Sequence, residues 1–98
     1  MTPDAHMILA LLDYQKHILA SYEAIGGDSG GFQVQFHKGS KYIRVVTMYH
    51  QGSQSCHSFI DERGFIWKSA SWKAPAKNFP RGDVKDPSTW TNIRWNGI

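Results

Sequence analysis

Ninety-eight residues suffice for one modest core and are too few for a two-lobed enzyme with a deep cleft, so a single domain over 1–98 is predicted. The chain is 41% hydrophobic, as ordinary globular proteins are, yet 13% aromatic with four tryptophans, so some rings are expected to contact a ligand or partner. A formal charge of +3 favours phosphate-bearing partners, and the lone Cys56 excludes an internal disulfide framework and a cysteine-rich zinc site.

Thr2-Pro3-Asp4 reads as a helix start: a hydroxyl to cap, a proline where no amide hydrogen is needed, and an acid against the positive end of the dipole. Ile8, Leu11, Leu12, Ile18, Leu19, Tyr22 and Ile25 recur at helical spacing and predict one apolar face, ended by Gly26-Gly27. Gly27-Asp28-Ser29-Gly30-Gly31 resembles the segment around the nucleophilic serine of chymotrypsin-like proteases. The histidine and aspartate in that family's order and its double barrel are both absent, so the segment is expected to be a loop.

Phe32, Val34 and Phe36 alternate with Gln33, Gln35 and His37, the period of a strand with one buried face. Lys38-Gly39-Ser40-Lys41 lacks the glycine spacing and following helix of a phosphate loop and is expected to be a hairpin turn edged by lysines. Tyr42 to Tyr49 is β-branched and aromatic on both faces and predicts a central strand. A third strand follows near Cys56 to Asp61, and a short fourth over Phe65 to Ser69. The prediction is an α+β fold, an N-terminal amphipathic helix packed on a three- to four-stranded antiparallel β-meander, with an irregular Trp-rich C-terminal tail. One helix covers one sheet face, so Trp72, the tail Trp90 to Trp95, or a second subunit must cover the other, and a homo-oligomer is expected.

Strand alternation sends Cys56 and His57 to opposite faces and so argues against a thiol–imidazole pair. His57 is then expected to share a face with Phe59 and Asp61, as a contact residue or as a satisfied structural histidine. The five histidines lack metal-ligand spacing, so no metal and no cofactor is predicted. Only Asp61-Glu62, in a turn, resembles an acid–base pair, and the protein is expected not to be an enzyme.

Between Gly31 and Gly82 stand eight basic residues against only Asp61 and Glu62. Four of them, Lys68, Lys73, Lys77 and Arg81, are interleaved with Trp67, Trp72 and Phe79 around Ala74-Pro75-Ala76, whose extended or turn geometry would put Lys77 and Arg81 on one side. Rings stack on bases while ammonium and guanidinium groups meet phosphates. The predicted ligand-binding residues are accordingly Arg44, His57, Lys68, Trp72, Lys73, Lys77 and Arg81. The competing reading makes Trp67 and Trp72 core plugs ringed by lysine stems.

Lys41 to Val46, His57 to Asp61 and Trp67 to Lys77 with Arg81-Gly82 together resemble a family of small uncharacterised tailed-bacteriophage proteins, over roughly residues 39 to 84. Phe79-Pro80 and the Trp-rich tail depart from that pattern. The resemblance implies a phage protein acting in the host cytoplasm. The expected function is non-enzymatic capture of a phosphate-bearing ligand, such as a signalling nucleotide, in a counter-defence or host-modulating role. The alternatives are a nucleic-acid-binding module and a protein-protein inhibitor of a host or defence enzyme. No signal peptide pattern and no apolar run of ~20 residues is present, so no membrane partner is expected.

Overall fold

The computed structural model describes residues 2–27 and 30–98; Asp28 and Ser29 of the serine-protease-like segment lie outside them. One helix, α1 (Ala5–Ala24), packs on an antiparallel sheet of β1 (Gln33–Lys38), β2 (Tyr42–Met48), β3 (Gln54–Asp61), β4 (Phe65–Lys68) and β5 (Gly82–Asp83), paired in chain order. The helix-on-meander architecture follows the sequence periodicities. The two-residue β5 is an addition, because a pair of residues carries no alternation to read.

Asp4, and not Thr2, caps the helix: its carboxylate accepts from the Met7 amide at 2.8 Å. At the other end Gly26 takes a left-handed φ of 85°, and the Gly26 and Gly27 amides donate to the Glu23 and Tyr22 carbonyls. That reversal is open to glycine at little cost. The buried stripe runs Met7, Leu11, Tyr14, Ile18, with Ala10 and Ser21 beside it, so the predicted apolar face is rotated. Ile8, Leu9, Leu12 and Ile25 lie exposed. The stripe settles on Tyr14 because its hydroxyl finds a partner inside, at Ser58 Oγ, 3.1 Å away.

Between helix and sheet, the α1 stripe meets Phe32, Val34, Ile43, Val45, Ile60 and Ile66. The tail joins this core. Trp90 is 5% exposed, sets its ring edge-on to Tyr14 and His17, and donates from Nε1 to the Val84 carbonyl. Trp95 lies edge-on to Tyr22, and its amide donates to Ser21 Oγ. The tail thus completes the face that the helix covers.

The sheet carries one irregularity with consequences. Val45 pairs with Ser58 and Val46 with Cys56, which leaves His57 as an extra residue on β3, a bulge. The simple alternation that would put His57 beside Phe59 and Asp61 therefore fails. His57 turns into the helix side, 5% exposed, with Nε2 2.7 Å from the Arg94 carbonyl and Nδ1 2.8 Å from Ser58 Oγ. A carbonyl only accepts, so Nε2 carries the proton and Nδ1 accepts from the Ser58 hydroxyl, which in turn accepts from Tyr14. One residue earlier in the tail, His17 Nε2 donates to the Ile93 carbonyl at 2.7 Å.

Burial, aided by nearby His17, holds the His57 pKa below its ordinary 6.5 despite the Arg94 carbonyl. The unfolded chain therefore takes up the proton first as acid is added, so this contribution to stability is intact above pH 6.5 and falls away below it. Thermal unfolding compared at pH 7.5 and pH 5.5 is expected to show a drop in Tm that shrinks in His57→Gln. An equal drop in both proteins would contradict the assignment.

Candidate functional site

The sheet face turned away from the helix carries the row His37, Arg44, Phe59, Trp67 across β1 to β4, with Tyr42 opposite Asp61 beside it. Val46 and Phe59 are buried there, although neither belongs to the cluster under the helix. The segment 69–81 turns back at Ala74-Pro75-Ala76 and is tied to this face through Arg44. The Ala70 and Ser71 amides both donate to the Ala74 carbonyl, Ser69 bridges Pro75, and the Ala76 amide returns to Lys68.

Arg44 fastens the segment. Its Nε donates to the Trp72 carbonyl at 2.7 Å, while its guanidinium carbon lies 4.8 Å from the Trp72 ring centroid and 5.9 Å from that of Phe59. The guanidinium is held by one hydrogen bond and two rings. Trp72 is 39% exposed. One ring face carries Arg44.

Beside this clamp is a depression of about 250 Å³, lined by His37, Lys38, Gly39, Ser40, Lys41, Tyr42, Arg44, Phe59 and Lys73. No carboxylate lines it. The β1–β2 turn forms its wall, and on the far side of that turn is a second depression of about 280 Å³, lined by Ser40, Lys41, Tyr42, Asp61, Glu62, Arg63 and Lys77. The Lys77 ammonium lies 5.6 Å from the Tyr42 ring centroid and 5.8 Å from that of Trp67. Hydrogen bonding to Tyr42 pushes the Lys77 pKa above its ordinary value and keeps it charged.

Of the predicted ligand residues, Arg44, Trp72 and Lys73 come together and Lys77 stands across the turn. Lys68 alternates with Trp67 and pairs with Ser58, whose hydroxyl lies in the interior, so it leaves from the opposite face. Arg81 stacks on Phe79 at 4.1 Å and ties its amide to the Ile66 carbonyl, outside both depressions. Lys77 lies beside Tyr42 and Trp67, whereas Arg81 lies over Phe79. His57 is the satisfied structural histidine of the two readings and lies inside the protein.

His37, Lys38 and Lys41 were legible only as one strand end and a turn. Their signal was density of charge around Gly39-Ser40, which lines a depression once β2 and the segment 69–81 supply Arg44 and Lys73. Trp67 realises the packing alternative in part: its Nε1 donates to Asp61 Oδ2 at 3.0 Å. Asp61 Oδ1 accepts from the Arg63 and Phe65 amides, so this carboxylate holds the β3–β4 turn. Cys56 is half-buried, its thiol pKa pushed up by that burial, and its Sγ lies 3.9 Å from the Ser58 carbonyl, the state of an unreactive thiol.

Among the described residues no group of three or more His, Cys, Asp or Glu could hold a metal ion, and no helix is long and apolar enough to cross a membrane. Searches of curated proteins and of solved structures each found no match to this chain. The model of a family of unknown function, DUF7717, matches residues 5–97, and the chain belongs to that family.

Proposed function

We propose that the protein is a non-enzymatic binder of a small phosphate-bearing ligand, a nucleotide above all, held in the depression beside Arg44. The observation that carries this reading is the clamped guanidinium at a carboxylate-free surface that also gathers Lys38, Lys41, Lys73 and His37. Guanidinium and ammonium groups converging on one concavity suit phosphate oxygens, and the neighbouring rings suit a base. A lining with positive charge and no carboxylate supports an anion as ligand, and Asp61, across the β1–β2 turn, serves the β3–β4 turn. A counter-defence or host-modulating role in the cytoplasm of an infected host rests on the resemblance to tailed-phage proteins alone.

Titration calorimetry with linear and cyclic nucleotides is expected to give saturable heat with at least one of them. That heat should weaken severalfold in Lys73→Ala, whose side chain lines the depression and makes no contact that the fold requires. Heat from no member of the panel would refute the proposal. A longer nucleic-acid track would instead show affinity for oligonucleotides that collapses between low and moderate salt. The protein-partner alternative has its own support in Ile8, Leu9 and Leu12, exposed together on α1. Light scattering across a concentration series would show self-association through that face.

A further inference from the structure

The two depressions share one wall. Ser40, Lys41 and Tyr42 line both, so a ligand on one side of the β1–β2 turn can reach the other by crossing a single ridge. Each is small: about 250 and about 280 Å³, against about 300–1,000 Å³ for the pockets that enclose a drug-sized molecule. Neither encloses a complete nucleotide, and one bound by its phosphate in the first can lay its base across the ridge into the second.

Their chemistry differs in a way that orients such a ligand. The first offers Lys38, Arg44 and Lys73 with no carboxylate, so it suits an anion. The second mixes Arg63 and Lys77 with Asp61 and Glu62. A phosphate placed there would face like charge, while a neutral group with N–H donors would find an acceptor. The Asp61 oxygens already take three donors from Arg63, Phe65 and Trp67. Glu62 is exposed beside them and is the carboxylate with capacity to spare.

Resting on the reading of the first depression as a phosphate site, we infer that the ligand is a nucleotide whose base bears an exocyclic amino group. It lies across the Lys41-Tyr42 ridge with its phosphate against Arg44 and Lys73 and its amino group toward Glu62. Adenine and cytosine carry that donor where hypoxanthine and uracil carry a carbonyl, and guanine carries it at the neighbouring ring carbon; a base without the amino group offers Glu62 one donor fewer. Lys41 belongs to both walls and is placed to meet the phosphate or the sugar hydroxyls between the two ends.

The test is a matched pair that differs at that one substituent, adenosine 5′-monophosphate against purine riboside 5′-monophosphate, which has hydrogen in place of the amino group, with inorganic phosphate as the third probe. Titration calorimetry on the full chain is expected to favour the adenine nucleotide by roughly tenfold, the scale of one hydrogen bond to a charged group. In Glu62→Gln, exposed in a turn and not required for folding, that preference should collapse toward equality. Equal affinities in the parent protein, or a preference untouched by Glu62→Gln, overturn the inference and leave the phosphate site standing. Binding of inorganic phosphate with neither nucleotide bound has the same meaning. Heat from none of the three probes, together with a silent nucleotide panel, overturns both readings.

Discussion

Trp90→Ala is expected to lower the stability of the fold by about 3–5 kcal/mol, the range for deleting a large buried aromatic side chain. The indole is 5% exposed and donates to the Val84 carbonyl, and its ring stands 5.5 Å from Tyr14 and 4.9 Å from His17. Truncation would open a void at the meeting point of helix, β5 and tail and leave the Val84 carbonyl without its partner. For a domain whose whole stability is about 5–15 kcal/mol, such a loss removes much of the margin. Urea denaturation followed by far-UV circular dichroism measures it as a shift of the midpoint. A change below about 1 kcal/mol would mean that the tail is an ornament on the surface and not a wall of the core.

That expectation also marks the boundary of what can be read from the chain. Phe32, Val34 and Phe36 spell out one face of β1 because only alternating burial produces their period. Met7 to Ser21 had to be a helix for the same kind of reason. Which tryptophans close the core is a different matter, since Trp67, Trp72, Trp90 and Trp95 all sit in segments without a period. Two are placed under the helix by tail contacts spanning more than seventy residues, such as Trp95 to Ser21. No local pattern records a contact of that length.

The bulge illustrates the limit more sharply. A strand that alternates strictly puts His57 on the outer face, and one extra residue carries it inside, where Arg94 and Ser58 satisfy it. Nothing in Ser55-Cys56-His57-Ser58 announces the insertion. The candidate surface was half legible for a related reason. Arg44, Trp72 and Lys73 stood out as basic and aromatic residues, but it is the fold that adds His37, Lys38 and Lys41 and moves Lys68 and Arg81 away. Density of charge along a chain is a poor guide to density of charge on a surface, because alternation sends neighbours to opposite faces and compact turns rotate them apart.

Arg44 is where the two roles of that surface meet, and Arg44→Lys separates them. Lysine keeps the charge but has neither the Nε donor that reaches the Trp72 carbonyl nor a planar group to lie between Trp72 and Phe59. If phosphate affinity came from charge alone, the lysine variant would bind nearly as well as the parent. The clamped geometry predicts otherwise. Loss of the fork should weaken ligand binding by about 1.5–3 kcal/mol, the scale of hydrogen bonds to charged groups and roughly a ten- to hundredfold change in Kd. Release of the Trp72 carbonyl should at the same time loosen segment 69–81, seen as faster hydrogen exchange at the Ala70 and Ser71 amides that close the turn. Arg44→Ala should lose both the fork and the charge and bind more weakly still. Parent-like affinity in the lysine variant, with exchange unchanged, would show that Arg44 neither holds the segment nor presents its guanidinium to the ligand.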